Sequence, residues 1–227
     1  MTSWPMIRAL IFDFDGLILD TETPIIDAWA ALHERAGLPY HRADAHRLVG
    51  TVEIDFDPWA AFGPTADRAA LDVEHRRLCR ELTARQPILP GVLDCLQAAR
   101  VDGLKLGVAS NSSHRHVDGH LARLALFHLF DATCCREDVA AGKPAPDVYS
   151  AIIGRLGAAA REAIAFEDST AGTQAARAAG LWTVAVPNRS THEHDFAAAH
   201  LVLPSLAAVP LPQLLARFAA VSATGPG

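Results

Sequence analysis

The amino-acid sequence predicts an α/β fold in which a doubly wound parallel sheet carries an inserted all-helical domain. Short apolar, β-prone runs recur along the chain, and Ala- and Leu-rich stretches with helical periodicity separate them. Such alternation is typical of parallel sheets covered by helices on both faces. It stops between residues 21 and 87, where the pattern is helical throughout. We therefore expect a core domain of residues 1–20 and 88–227, with a helical domain of residues 21–87 inserted after the first strand.

The first predicted strand is Ile7–Phe14, a mostly apolar run that leads into Asp15 and Gly16. An apolar run of this length before a turn is typical of a buried strand, and this strand ends in carboxylates. Four later runs have the same character: Leu104–Ala109, Ala163–Phe166, Trp182–Val186 and Leu201–Leu203. The predicted helices between the strands include Val92–Arg100, His116–Leu124 and Ala171–Ala179.

The helical domain is predicted to contain two amphipathic helices with Pro- and Gly-containing sequence between them. The first helix places four apolar residues on one face: Ile25, Trp29, Leu32 and Ala36. The second, Asp67–Ala84, is rich in charged residues. Trp29, Trp59 and Phe62 either line a hydrophobic pocket or form the core of this domain, and the core interpretation is favoured.

Composition excludes several classes of partner. The formal net charge of −6 predicts no general attraction for nucleic acid or anionic membranes, so a bound anion must be held by locally placed groups. No apolar run is long enough to span a membrane, and residues 1–5 lack the layout of a signal peptide. We expect a cytoplasmic protein, with a monomer as the default state.

Its cysteines form no CxxC pair and are expected to be reduced thiols: Cys79, Cys95, Cys134 and Cys135.

Two carboxylates follow the first predicted strand, at the edge where open α/β sheets bind ligands. Asp13 and Asp15 are alternate residues, so their side chains are expected on the same side of the chain. Neighbouring carboxylates repel each other unless a cation or a shared proton lies between them. Beside a divalent metal, one can attack phosphorus while the other transfers protons. The alternative is a capped turn with solvated acids.

Three further clusters follow later strands. The run Ser110-Asn111-Ser112-Ser113 offers hydroxyl and N–H groups that can cradle an anion, or can simply cap a helix. Lys143, in the loop Gly142–Asp147, offers a compact cation for a phosphate, or is an ordinary surface lysine. Glu167 and Asp168 suit a hard cation such as Mg²⁺, or are acids beside a helix cap. Each alternative is reasonable alone, but four clusters at predicted strand ends favour one shared site.

Three histidines form an HxHxxxH pattern: His114, His116 and His120. His116 and His120 are one helical turn apart, a spacing at which two imidazoles can share a metal ion. No thiol accompanies them nearby in the sequence, and a zinc site is not expected.

As a set, the motifs DxDGxxxDTE, Ser110-Asn111, GKPxPD and EDSxAG resemble the haloacid dehalogenase (HAD) superfamily of phosphotransferases. They extend from Ile7 to about Asn188 and are most similar to the β-phosphoglucomutase-like branch, which carries a small helical C1-type cap. The resemblance implies that residues 21–87 form that cap. It also implies that the chain is a phosphatase for a small phosphorylated metabolite, with Asp13 as nucleophile and Asp15 as general acid and base.

The same resemblance implies the ligand contacts. Ser110 and Lys143 would hold the transferring phosphoryl group during catalysis. The phosphate-binding set would be Gly16, Ser110, Asn111 and Lys143. The cofactor would be Mg²⁺, and its ligands would be Asp13, the backbone carbonyl of Asp15, Asp168, and Glu167 through water.

Two other functions remain open within the resemblance. Sugar-phosphate mutases of this branch carry a histidine where this chain has Ile25, and an arginine where it has Glu53 if Gly50 is the equivalent glycine. Both departures favour the phosphatase. Arg77 or its neighbour Arg76 would supply a substrate-binding cation instead, or would lie on a solvated charged face. The second of these functions is that of a catalytically silent binding protein. The intact set of acids and lysine argues against it.

Overall fold

The computed structural model describes residues 6–41 and 57–224 of the chain. The chain divides into two compact units, one of Met1–Leu19 with Ile88–Gly227 and the other of Asp20–Pro87. The first unit contains a parallel sheet, and the described part of the second unit is helical. Each unit has a hydrophobic core of its own.

Six parallel strands form the sheet of the first unit, in the spatial order β3-β2-β1-β4-β5-β6. The strands are β1 Ala9–Phe12, β2 Lys105–Ala109, β3 Ala132–Cys134, β4 Ala163–Glu167, β5 Trp182–Ala185 and β6 Leu201–Val202. On β1, Phe12 pairs with Val108 of β2 on one side and with Phe166 of β4 on the other. Because the strands are parallel, the carboxyl ends of β1, β2 and β4 lie side by side at one edge of the sheet.

The described residues form seven α-helices, of which the first two belong to the second unit. They are α1 Thr23–Arg35, α2 Arg68–Thr83, α3 Val92–Val101, α4 His114–Arg123, α5 Asp147–Leu156, α6 Thr170–Ala178 and α7 Leu211–Thr224. On β1, Leu10 and Phe12 enter a core cluster with residues of α3, α4 and α7. Ala9 and Ile11 enter a second cluster with residues of α5 and α6. Since β1 is buried on both faces, as a doubly wound sheet requires, the predicted fold class is confirmed.

The second unit is organised by the packing of α1 on α2. Its core contains Ala28, Leu32 and Leu78, and Trp59 and Phe62 pack against them. Trp29 is 5% exposed, and its ring centroid lies 4.2 Å from that of Trp59. Trp29, Trp59 and Phe62 therefore belong to the core of this unit, which is the favoured interpretation of the sequence. Gly50 and Glu53 lie outside the described residues.

The structure adds three elements that the sequence pattern did not predict: β3, α5 and α7. β3 has three residues at the edge of the sheet, two of them half-buried, so it is too short to show alternation. The α5 sequence Val-Tyr-Ser-Ala-Ile-Ile is apolar and partly β-branched, and such a run fits a strand or a helix equally well. α4 begins two residues earlier than predicted, at His114, because the Ser113 hydroxyl accepts the N–H of His116 as an N-cap.

Two predictions drawn from composition can be compared with the structure. No helix in the described part of the chain is long and apolar enough to cross a membrane. All four cysteines are free thiols; Cys79 is half-buried and the other three are buried. The expectation of reduced cysteines therefore agrees with their placement.

Phe166 provides a test of the core. It is fully buried and stacks on Phe12 with ring centroids 4.9 Å apart. We expect Phe166→Ala to lower the free energy of unfolding of the first unit by about 3–5 kcal/mol, because the substitution leaves a cavity between β1 and β4. Denaturant unfolding measures the change. The exposed Val101→Ala at the end of α3 is the control, expected to change stability by less than about 0.5 kcal/mol, and a similarly small effect of Phe166→Ala would contradict the packing described.

Candidate active site

The acidic residues predicted at strand ends meet at one edge of the sheet. Asp13 directly follows β1, and its N–H donates to the carbonyl of Phe166 at 3.0 Å, which ties it to β4. Glu167 is the last residue of β4, and Asp168 follows it. Carboxylate oxygens of Asp13, Glu167 and Asp168 all lie within 4.8 Å of one another. All three residues are buried, with exposures of 7%, 0% and 3%.

Lys143 joins these strand ends. Its ammonium nitrogen lies 2.7 Å from Asp13 Oδ1 and 2.6 Å from Glu167 Oε1, and it donates to the carbonyl of Ala109 at 2.8 Å. The Lys143 side chain is 4% exposed, so its three N–H groups are matched by three protein oxygens in a dry environment. The lysine therefore links the ends of β1, β2 and β4, and the ordinary surface lysine considered from the sequence is excluded.

Asn111 fixes the backbone of Lys143. Its Oδ1 accepts the Lys143 N–H at 2.8 Å, and its Nδ2 donates to the Lys143 carbonyl at 3.1 Å. A Cβ atom at Gly142 would lie 2.7 Å from Asn111 Oδ1, so this close approach requires glycine. The resemblance places Asn111 in the phosphate-binding set. In this structure both polar atoms of its side-chain amide bond to the backbone of Lys143, one to the N–H and the other to the carbonyl.

Glu167 is surrounded by donors. Its Oε1 accepts the Tyr149 hydroxyl at 2.5 Å as well as the Lys143 ammonium, and the Ser169 hydroxyl lies 3.3 Å from Oε2. Helix α6 passes so close that a Cβ atom at Gly172 would lie 1.9 Å from the Glu167 carboxylate. The ring of Tyr149 also lies beneath the Lys143 ammonium, 5.2 Å from nitrogen to centroid. These contacts hold Glu167 in one position.

Asp168 is held by the turn after β1 and by a residue after β5. Asn188 Nδ2 donates to Asp168 Oδ2 at 2.8 Å and to the Gly16 carbonyl at 3.1 Å. Gly16 has φ +74°, and a Cβ atom there would lie 2.2 Å from Asp168 Oδ2. In this structure Gly16, assigned to phosphate binding by resemblance, therefore packs against a metal-ligand candidate.

The cluster of Asp13, Glu167 and Asp168 brings three carboxyl groups together in a buried place, where negative charge is unfavourable. Burial, followed by repulsion from Glu167, raises the pKa of Asp13 from 3.8 to about 8, although Lys143 opposes this shift. Burial would lower the pKa of Lys143, but attraction to Asp13 and Glu167 outweighs it and raises that pKa. Two of the three clustered carboxylates, those of Asp13 and Glu167, therefore share one ammonium ion. Such an oxygen-rich, electron-rich group fits a hard divalent cation such as Mg²⁺, which prefers carboxylate ligands.

Asp15 faces a different set of partners. Its Oδ2 accepts the Ser112 hydroxyl at 2.6 Å, and the Ser110 hydroxyl lies 3.4 Å from the same oxygen. His116 Nε2 lies 2.8 Å from Asp15 Oδ1, and this bond raises the pKa of His116 against the lowering effect of burial. The Asp15 side chain is not among the clustered carboxylates, so Asp13 and Asp15 are chemically distinct.

Arg77 has partners of its own on the surface of the second unit. Two of its nitrogens donate to Glu74, at 2.6 and 2.8 Å, and a third donates to Glu81. Its side chain is 44% exposed, and Arg76 pairs with Asp72 in the same helix. These ion pairs favour the solvated charged face over the substrate-binding cation.

Three residues with contacts to the predicted site were not assigned to it from the sequence: His116, Tyr149 and Asn188. Asn188 carried a usable signal, because it closely follows a predicted strand as the acidic clusters do. His116 and Tyr149 lie inside helices, and only the packing of α4 and α5 brings them to the carboxylates.

Asp13 provides a test of the charge imbalance. With EDTA present at pH 8, we expect Asp13→Asn to raise the free energy of unfolding. The folded-state pKa of about 8 exceeds 3.8, so Asp13 ionises more easily in the unfolded chain. Wild-type stability is therefore lost as the pH rises from about 4 to 8, by at most about 1.4 kcal/mol per pH unit.

The measurement is denaturant unfolding of wild type and Asp13→Asn at pH 5 and pH 8. The gain from the substitution is expected to be larger at pH 8. Asp102→Asn, at the exposed end of α3, is the matched control. A destabilised Asp13→Asn protein at pH 8 would show that the attraction of Lys143 outweighs burial and repulsion.

Comparisons with known proteins agree with this geometry. The sequence model of the family described as haloacid dehalogenase-like hydrolase matches residues 7–180. YhcW of Bacillus subtilis (strain 168), named as a candidate phosphatase, is 38% identical over 190 residues, covering 82% of this chain and 86% of YhcW. Hexitol phosphatase B of Escherichia coli (strain K12) is 30% identical, covering 95% of this chain and 100% of its own.

A solved structure is also similar throughout. The crystal structure of a candidate β-phosphoglucomutase from Thermotoga maritima superposes with a TM-score of 0.79 at 25% identity. The match covers 95% of this chain and 100% of the other. The family match and these similarities lead to one conclusion: the chain belongs to the haloacid dehalogenase-like hydrolases and is similar to their β-phosphoglucomutase-like members.

Proposed function

We propose that this chain is a Mg²⁺-dependent phosphatase that hydrolyses a small phosphorylated metabolite through a phosphorylated Asp13 intermediate. The observation that carries the proposal is the buried Asp13 carboxylate at the end of β1, held by Lys143 beside Glu167 and Asp168. The relatives named as phosphatases support the reaction class.

In the proposed first step, a carboxylate oxygen of Asp13 forms a bond to phosphorus as the bond from phosphorus to the ester oxygen breaks. Asp15 gives its proton to the leaving oxygen, which departs as an alcohol. In the second step, Asp15 takes a proton from water as the water oxygen bonds to phosphorus and the bond to Asp13 breaks. Inorganic phosphate leaves, and both aspartates return to their starting states.

Asp13, Asp168 and the backbone carbonyl of Asp15 are the proposed ligands of Mg²⁺, with Glu167 acting through water. The bound ion would offset the repulsion between the anionic nucleophile and the anionic substrate. Asn188 and Gly16 support this arrangement, because they fix the orientation of the Asp168 carboxylate.

Lys143 and Ser110 are the proposed contacts of the transferring phosphoryl group. All three N–H groups of Lys143 have protein acceptors in this structure, one of them Asp13 Oδ1. We therefore expect a phosphoryl oxygen to replace Asp13 Oδ1 as an acceptor when Asp13 becomes phosphorylated. The lysine would then stabilise negative charge on the phosphoryl group without leaving its position.

Residues 21–87 are proposed to act as the cap that selects the substrate, by resemblance to the family branch. We further propose a cytoplasmic monomer that binds neither nucleic acid nor membranes, consistent with the net charge of −6. A mutase is the second candidate from the sequence, but no specific observation among the described residues favours it. A catalytically silent binder is disfavoured because the residues proposed for catalysis are all present and lie together: Asp13, Lys143, Glu167 and Asp168.

The proposal is tested by phosphate release from a panel of sugar, polyol and nucleoside monophosphates and phosphoglycolate. We expect release with Mg²⁺ and none with EDTA. Asp13→Asn is expected to lower turnover by about 10⁴-fold or more, since removing a nucleophile removes the covalent route. Asp102→Asn is the matched control and should turn over like wild type.

The two enzymatic candidates differ in their product. Isomerisation of a hexose phosphate without phosphate release would identify a mutase instead. Phosphate release that persists in EDTA, or in Asp13→Asn, would contradict the proposed mechanism.

A further inference from the structure

Both carboxylate oxygens of Asp15 are held from helix α4 and the residues just before it. The Ser112 hydroxyl donates to Oδ2 at 2.6 Å, and His116 Nε2 lies 2.8 Å from Oδ1. The side chains of Asp15 and His116 are 28% and 34% exposed, so this bond is partly shielded from water. The Asp15 carboxyl is therefore held by side chains that lie about 100 positions later in the sequence.

The imidazole that makes this bond is itself fixed. Its ring meets the buried ring of Phe14 edge-on, with centroids 5.6 Å apart and an interplanar angle of 90°. The His120 ring packs against it from the next helical turn, with centroids 4.8 Å apart. Val117 and Leu121 are fully buried and anchor α4 on the sheet. Because its ring is packed on two sides, His116 presents Nε2 to Asp15 in a defined direction.

We propose that His116, assisted by Ser112, is a positioning residue for Asp15, and this inference rests on the proposed function. Asp15 is two residues from Asp13, and Lys143 is a buried cation bonded to Asp13. A carboxylate free to rotate would be attracted by that ammonium and would compete with Asp13 for it. The bonds to His116 and Ser112 hold Asp15 apart from the Lys143 group. They keep it available for proton transfer to the leaving oxygen.

The alternative is that the His116 bond only secures the N-terminal turn of α4. The two roles differ in how the effect of a substitution depends on the leaving group. An alkyl phosphate needs a proton on its leaving oxygen, whereas p-nitrophenyl phosphate releases a stable phenolate without one. A loss of acid positioning therefore lowers kcat/KM for the alkyl ester alone, because kcat/KM reports steps up to release of the leaving group.

The experiment compares wild type, His116→Phe and His116→Gln. Phe keeps an aromatic ring against Phe14 and removes the hydrogen bond, whereas Gln restores a donor near the position of Nε2. The substrates are p-nitrophenyl phosphate and the alkyl phosphate that wild type cleaves best. We expect His116→Phe to lower kcat/KM about 10²-fold for the alkyl phosphate and less than about threefold for p-nitrophenyl phosphate. His116→Gln should recover most of the alkyl activity.

His120→Phe is the matched control. It changes the other histidine that packs on Phe14, and it should behave like wild type on both substrates. Equal losses on both substrates for His116→Phe, or no loss on either, would overturn the positioning role and leave the phosphatase intact. A wild-type enzyme that cleaves neither substrate would overturn the proposed function itself. If His116→Phe does not fold, Ser112→Ala is measured on the same two substrates instead. It is expected to lower kcat/KM for the alkyl phosphate and not for p-nitrophenyl phosphate.

Discussion

The buried ammonium of Lys143 is the interaction on which the candidate site depends. It bonds to Asp13, to Glu167 and to the carbonyl of Ala109 at the end of β2, so it joins three neighbouring strand ends at one point. The backbone of Lys143 is fixed by Asn111, whose side-chain amide bonds to the N–H and to the carbonyl of Lys143. The parallel sheet is what brings these groups together, because it places the ends of β1, β2 and β4 at one edge.

The same interaction leaves the site with unbalanced charge. The Lys143 ammonium bonds to two of the three clustered carboxylates, and burial and repulsion raise the pKa of Asp13 to about 8. The Asp168 and Glu167 carboxylates pack directly against Gly16 and Gly172, where a Cβ atom would overlap them. Without a bound cation, the repulsion between these buried carboxylates lowers the stability of the folded state. Functional sites commonly contain groups that are unfavourable for folding. The buried carboxylate cluster supports the proposed Mg²⁺ requirement.

Much of the fold and of the acidic site could be predicted from the sequence, for a specific physical reason. Residues that follow buried parallel strands share one edge of the sheet, so Asp13, Glu167 and Asp168 were predicted together from local patterns alone. His116 and Tyr149 could not be predicted in this way, since their contacts depend on how α4 and α5 pack. The partners of Arg77 were predictable, because Glu74 and Glu81 lie one helical turn away on either side.

The most direct test of the account is to find the phosphoryl group on the enzyme. Wild-type protein would be mixed with its best substrate and Mg²⁺, quenched in acid during turnover, digested and analysed by mass spectrometry. We expect the added mass of one phosphoryl group on the peptide that contains Asp13, located at that residue by fragmentation. Turnover with no such adduct, or with the phosphoryl group on another residue, would contradict the assignment of Asp13 as nucleophile.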